Sequence, residues 1–265
     1  MTHSVENLNR SYYDTHYFNE CVSFEERMFA YNMYKCIGKI DPKSEILEIG
    51  YGKGVLARHF LGRNPCNYFG LEKSMSAREA IKGLHGFVDL ENLENTVVKY
   101  DIIIMSNVIE HIQDDIGFIV NIFNMLKPNG RISLSFPTNI EPDDDPRHYR
   151  VYDLLSFKSL IESKLQSCEV RVRYTPPAYL AQGIRKFIIK IGNLLYKIVQ
   201  NEKKLKPSEV ATSLNKNAHP KIIRFAYFKI AIPFMMAFLW IDFFLSSISK
   251  TCQGYLEIKA INNSL

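Results

Sequence analysis

The sequence is short of the residues that mark several protein classes. Thirteen glycines and 11 prolines in 265 residues exclude a collagen, and no internal repeat or low-complexity tract is present. A shortage of apolar residues, the mark of a disordered chain, is absent: 46% of the residues are hydrophobic and 12% aromatic. There are five cysteines, Cys21, Cys36, Cys66, Cys168 and Cys252, an odd number with no pair at C-x-x-C spacing. That argues against a disulfide framework or a zinc site and for reduced thiols in an intracellular protein. Residues 1–10 are polar, so no secretory signal is expected there. No run reaches about 18 uninterrupted apolar residues, so a spanning helix is not the first reading; the nearest approach is 222–248.

What is there divides unevenly. The net charge of +5 combines +9 over residues 176–265 with −4 over residues 1–175. The length suggests one large domain, or one domain carrying a sizeable insertion. Residues 1–40 read as an aromatic-rich helical lead-in. After Pro42, short apolar runs alternate with amphipathic stretches. Strands are expected at 45–50, 67–71, 86–90, 100–106, 131–137, 168–174 and 254–260, with helices at 55–61, 75–82 and 115–126. Such alternation predicts a largely parallel sheet covered on both faces. Leu126-Lys127-Pro128-Asn129-Gly130 reads as a helix end and turn into the next strand. The alternation stops after Tyr174. Residues 176–252 contain no clear strand and read as a helical insertion before a final strand at 253–265. A core is therefore expected at 41–175.

The most informative stretch is Ile46-Leu47-Glu48-Ile49-Gly50-Tyr51-Gly52-Lys53-Gly54. An apolar strand carries an acid near its end and runs into three glycines at alternate positions. Glycine permits a tight turn and a close ligand approach where a Cβ would clash. A ligand there would lie at the carboxyl ends of parallel strands, close to a helix start. The spacing is G-x-G-x-G, not the G-x-G-x-x-G of dinucleotide sites, so a pyrophosphate is not favoured.

Four further features follow in order. They are Phe69-Gly70-Leu71-Glu72, Phe87-Val88-Asp89-Leu90, the strand ending in Ser106 with Asn107-Val108-Ile109-Glu110-His111 after it, and Leu126-Lys127-Pro128-Asn129-Gly130. With the glycine loop, this resembles the class I S-adenosylmethionine-dependent methyltransferases over residues 40–175 and the last strand. The resemblance implies an α/β, Rossmann-like methyltransferase sheet of seven strands, with helices on both faces and the last strand antiparallel. It implies S-adenosyl-L-methionine as cofactor and S-adenosyl-L-homocysteine as product. By that resemblance Glu48, Gly50, Gly52 and Gly54 would hold the methionine portion, with Tyr51 beside them. Glu72, with Lys73 next to it, would accept from the ribose hydroxyls. Asp89 and Leu90 would lie by the adenine, and Ser106 and Asn107 near the methyl group. Asp101 suits a structural role as well as a cofactor contact.

An acceptor hydroxyl needs a base, worth roughly 10²–10⁴ in rate. His148, in Asp143-Asp144-Asp145-Pro146-Arg147-His148-Tyr149-Arg150, follows the fifth strand and is the first choice, since its ordinary pKa is near working pH. Methyltransferases of sugar and surface-glycan pathways look similar in this segment. Arg147 and Arg150 would meet an anionic acceptor. His111 is the second candidate. Related O-methyltransferases of quinone biosynthesis and small-RNA 2′-O-methyltransferases bind a divalent metal through Glu-x-x-Glu-His. Asn107 stands at the first of those positions here, and no metal is expected. Tyr12, Tyr13 and Tyr17 would line the acceptor side of a lid.

In residues 179–200 the apolar positions Ile184, Phe187, Ile188, Ile191, Leu194, Leu195 and Ile198 recur at helical spacing beside Arg185, Lys186, Lys190 and Lys197. Residues 222–248 are more apolar, but Pro233 and Asp242 argue against spanning a bilayer. Three readings of the insertion are open: closing the acceptor pocket, forming a homodimer, or lying in a membrane surface as a peripheral contact. Nucleic acid is the least favoured partner. The expectation is a cytoplasmic enzyme, peripheral to the membrane surface under the third reading. It would O-methylate a small-molecule or sugar-containing acceptor of polysaccharide biosynthesis. The alternatives are a membrane-surface lipid or quinone methyltransferase, and a cofactor-binding partner subunit without activity.

Overall fold

The computed structural model describes residues 22, 24–63, 66–93, 98–138, 146–175 and 253–261. The chain divides into two units, residues 1–175 with 249–265, and residues 176–248; the second lies outside the described residues. Tyr12, Tyr13 and Tyr17 also lie outside them.

Seven strands form one sheet: β1 (Glu45–Ile49), β2 (Asn67–Leu71), β3 (Phe87–Leu90), β4 (Tyr100–Ser106), β5 (Leu126–Pro137), β6 (Cys168–Thr175) and β7 (Gln253–Ala260). Their spatial order is β3-β2-β1-β4-β5-β7-β6. β1 pairs in parallel with β2 and β4, β2 with β3 and β4 with β5, whereas β7 is antiparallel to both β5 and β6. The helices are α1 (Phe24–Ile37), α2 (Val55–Leu61), α3 (Met75–Ile81), α4 (Asp115–Phe123) and α5 (Leu154–Lys164). This is the expected seven-stranded α/β architecture with its last strand reversed.

Side chains alternate between the faces of each strand, which sorts the core into two halves. Ile46, Tyr68 and Ile104 pack with Met33 of α1, Phe60 of α2 and Ile81 of α3. Leu47, Ile103 and Leu134 pack on the other side with Ile119 and Ile122 of α4 and Phe157 and Ile161 of α5. Each such fully buried aliphatic or aromatic side chain stabilises the fold by about 1.5–3 kcal/mol.

Two details differ from the sequence reading. The expected helix end and turn at 126–130 belongs to β5, which begins at Leu126. The pairing runs from Tyr100↔Leu126 to Ile102↔Arg131, and Asn129 takes a φ of 62° within that irregularity. Asn tolerates the left-handed region, so the extra residues are absorbed in place. Lys127 turns back to Glu45 (3.1 Å) and Asp101 (2.8 Å), and Asp101 also accepts from the Glu45 N–H. Asp101 is therefore structural. Second, α5 had no counterpart in the reading, although Asp153 caps it by accepting from the Ser156 N–H at 2.9 Å. As expected from the sequence, residues 91–99 join β3 to β4 directly, with fewer residues than the dozen or more that a helical crossover usually takes. Leu93 and Val98 cross the α4–α5 side as apolar anchors.

Candidate functional site

The carboxyl ends of β1, β2 and β4 meet at one edge of the sheet, and the glycine loop turns there. Gly50, Gly52 and Gly54 all have positive φ, at 72°, 51° and 66°. Space is limiting at two of them. A Cβ on Gly50 would lie 2.5 Å from Val108 Cγ2, and one on Gly54 would lie 2.4 Å from Ile81 Cδ1. The Gly50 N–H donates to the Leu71 carbonyl at 2.8 Å, and the Gly54 N–H to the Tyr51 carbonyl at 2.8 Å. The loop is thus a preformed cradle in which positive φ favours glycine at all three positions and space favours it at Gly50 and Gly54.

The acids around it each bind the protein as well. Glu72 accepts from the Gly52 N–H (2.9 Å) and the Ser74 N–H (3.0 Å), one on each oxygen. A carboxylate has about four acceptor positions, so it can brace the loop and still receive two ribose hydroxyls. Glu48 is 3% exposed and accepts from the buried Tyr68 hydroxyl at 2.8 Å. Burial pushes its carboxyl up to about 8; the Tyr68 bond lowers it and the Glu72 charge raises it further. A cationic ligand in the cradle would favour its ionised form.

Asp89 accepts from the Tyr51 hydroxyl at 2.9 Å and from Arg78 Nε at 2.7 Å. Strand alternation is the reason. Phe87 packs in the core on the α1–α3 side, and Asp89, two residues on, shares its face, whereas Leu90 packs on the opposite side. Asp89 therefore ties the glycine loop to α3. Tyr51, 3% exposed, is a strut of the loop, and burial foremost pushes its hydroxyl pKa upward.

Beyond Glu72 and Lys73 a cavity of about 630 Å³ opens, lined also by Leu71, Asn92, Leu93 and Phe118. Asn92, Leu93 and Phe118 were missed by sequence reasoning. Asn92 and Leu93 reach the cavity from the short β3–β4 connection and Phe118 from α4. The donor set fits S-adenosylmethionine: a glycine cradle, a carboxylate, Glu72, with spare acceptor positions, and a largely apolar cleft beside it.

On the other side of Gly50 the β4 edge continues. Ser106 Oγ lies 3.0 Å from Ser135 Oγ. Asn107 has a φ of 54°, and its N–H donates to the Ser135 carbonyl at 2.8 Å. Val108 packs into the space that Gly50 leaves, and a single 3-10 turn, Ile109–His111, follows. The segment after β5 is laid along this turn. The Tyr149 N–H donates to the Glu110 carbonyl at 2.9 Å. His111 Nδ1 is 3.0 Å from the Arg147 carbonyl, and the His111 and His148 rings meet edge to face with centroids 4.9 Å apart. The two expected histidines are therefore together. Donor atoms of Glu110, His111 and His148 lie within 4.8 Å of one another.

Arg150, expected at an anionic acceptor, is instead paired with buried Asp115 and also donates to the Gln113 carbonyl. Tyr152 donates to Asp115 at 2.8 Å and approaches the Ile109 carbonyl at 3.2 Å. Asp115, 3% exposed, is the post to which the segment is fastened. Sequence reasoning missed Asp115 and Tyr152, because a partner 35 or 37 residues away leaves no local pattern.

Comparison with known proteins agrees with this geometry. A family profile described as a methyltransferase domain matches residues 13–162. No curated protein matches. Among solved structures, phosphoethanolamine N-methyltransferase 2 of Haemonchus contortus in complex with S-adenosyl-L-methionine superposes with a TM-score of 0.56. It is 14% identical, over 98% of this chain and 61% of that one. Coclaurine N-methyltransferase bound to N-methylheliamine and S-adenosylhomocysteine gives 0.54 and 14%, over 92% and 74%. The cyclase SpnF gives 0.52 and 11%, over 90% and 80%. At these identities the likeness is one of fold, and a cyclase among the neighbours shows that the fold does not dictate the reaction.

Proposed function

The chain belongs to the methyltransferase-domain family, within the class I S-adenosylmethionine-dependent superfamily, and from that premise we propose that it methylates a hydroxyl of a small-molecule or sugar-containing acceptor, with a histidine as base. The observation that carries this is the joining of glycine cradle and imidazole pair through Val108. Gly50 admits Val108, and the turn bearing His111 begins one residue later, with His148 against it.

The cofactor, when bound, supplies a methyl group already activated on a sulfonium. The chain's own contribution is alignment and proton handling. Gly50 to Gly54 fix the loop, Glu72 receives the ribose, and His148 takes the acceptor's proton. The acceptor's O–H bond breaks as its oxygen bonds the methyl carbon. The S–C electron pair stays on sulfur, leaving S-adenosylhomocysteine, and the proton ends on imidazole. Alignment of this kind lowers a barrier by up to about 7–11 kcal/mol.

The +9 charge and the apolar runs of residues 176–265 support an acceptor linked to phosphate or lipid. The test starts with calorimetry of the full chain against S-adenosylmethionine, then a search for acceptors that gain the mass of one methyl group. His148→Ala should lower turnover by about 10²–10⁴ and leave cofactor affinity intact. No cofactor binding in the wild type would overturn the reading. Unchanged turnover at saturating acceptor would remove His148, and methylated amines as products would remove the hydroxyl.

A further inference from the structure

Glu110 has so far only lent its backbone carbonyl to Tyr149. Its side chain is the more telling part. The residue is 1% exposed, and an ionised carboxylate at such depth is costly unless a positive charge or donors compensate it. The chain brings two imidazoles to it, from segments that follow different strands.

The orientation of His111 adds to this. Its Nδ1 faces the Arg147 carbonyl at 3.0 Å. A carbonyl oxygen can only accept, so Nδ1 carries the hydrogen and the neutral ring keeps its lone pair on Nε2. The pair is thus set to take up one proton, with a carboxylate buried beside it.

We propose that Glu110 is a positioning residue of the transfer, its carboxylate holding the imidazolium that forms when the His111–His148 pair takes the acceptor's proton. This rests on the methyltransferase reading and deepens it. The proton that leaves the acceptor oxygen ends on imidazole nitrogen, and Glu110 stays ionised throughout. Among the described residues, His111 on its own turn and His148 on the segment after β5 bring donor atoms within 4.8 Å of Glu110, and the Tyr149 N–H donates to its carbonyl. Tyr152 is also within range of the Glu110 charge. Asp115 lies one step further and is matched by Arg150 and the Tyr152 hydroxyl.

The experiment follows the two rings by nuclear magnetic resonance in the full chain, with labelled histidine and saturating S-adenosylhomocysteine. His111→Gln and His148→Gln assign the signals. In the wild type the pair should take up a proton at a pH about one unit or more above the ordinary imidazole value of about 6.5. Glu110→Gln should bring that midpoint down by about one unit or more, and Glu110→Asp should restore part of it. S-adenosylhomocysteine affinity should be the same in all forms.

A wild-type midpoint at or below the ordinary value overturns the proposal, and that measurement stands even if Glu110→Gln does not fold. An unmoved midpoint in Glu110→Gln also overturns it. So does stoichiometric, Glu110-dependent binding of added Mg²⁺, Mn²⁺ or Zn²⁺ that perturbs both rings, for then a metal and not a proton is what the carboxylate holds. Failure to bind S-adenosylhomocysteine would count against the methyltransferase reading itself.

Discussion

The two sides of Gly50 are built differently. On the β1–β2–β3 side the polar groups are organised around absent side chains: three glycines at positive φ leave room, and the acids Glu72, Asp89 and Glu48 are each bonded to the protein around that room. On the β4–β5 side the organisation comes from side chains that reach across sequence. Asp115 gathers Arg150 and Tyr152, and the segment bearing His148 is laid onto the turn bearing His111. The first arrangement is local and fixed by backbone shape. The second is assembled from two loops, fastened through buried Asp115. A ligand common to many enzymes suits the first kind of site, and a reactant peculiar to one enzyme suits the second.

Three changes would break or sharpen that contrast. The largest effect is expected from Gly50→Ala, where the φ of 72° and the 2.5 Å approach of Val108 leave no place for a methyl group. Calorimetry should show S-adenosylmethionine affinity reduced by about 10² or more, a loss of at least ~2.7 kcal/mol. Affinity within tenfold of wild type would mean the cradle is softer than its backbone implies.

Glu48→Gln comes next, and its effect depends on pH. The folded-state carboxyl of Glu48 is raised from 4.5 to about 8, chiefly by burial. The folded chain therefore holds a proton that the unfolded chain has released, and stability falls as pH rises between those values. The contribution is intact below the unfolded value and lost as pH climbs through the folded one. Glutamine keeps an acceptor for Tyr68 without the charge. The variant should match wild type near pH 5 and become progressively more stable toward pH 8, by up to about 1 kcal/mol per pH unit in urea unfolding. Parallel curves for the two proteins would show that Glu48 is ionised at little cost.

The smallest effect, and the one that separates the two sides most cleanly, is Asp115→Asn. It weakens the bonds from Arg150 and Tyr152 and should cost about 1–2 kcal/mol of stability, discounted because Arg150 is more than a third exposed. Turnover should fall while S-adenosylmethionine affinity holds. A matching fall in affinity would show that the two sides are not independent.

The same contrast explains what the sequence made legible. The glycine loop, the strands from β1 to β4 and Glu72 follow from local pattern, since a buried parallel strand must be apolar and a positive φ next to a neighbouring side chain demands glycine. The bonds of Asp89 to Tyr51 and Arg78 do not follow from local pattern, because they depend on the face it shares with Phe87, toward α3. α5 was legible and went unread: Leu154, Phe157 and Ile161 are buried at helical spacing behind the Asp153 cap. The role of Asp115 and the nearness of Glu110 to His148 were not legible, because both depend on how far the segment after β5 folds back. The boundary of β5 was lost to Pro128, Asn129 and Gly130, turn-forming residues that the strand accommodates by shifting register.

Val108 lodged against Gly50 has a consequence for how such a protein can vary. Val108 Cγ2 takes the place that a Cβ at residue 50 would occupy, so the gap between loop and turn is set by the pairing of Gly50 with Val108. Enlarging residue 50 would drive the turn outward, and trimming residue 108 would open a void that the rigid strands on either side could not close. Only paired exchanges at 50 and 108 could preserve the gap, and the positive φ at 50 removes nearly all partners for such an exchange. The spacing between the glycine loop and the turn bearing His111 is therefore set by the residues at these two positions.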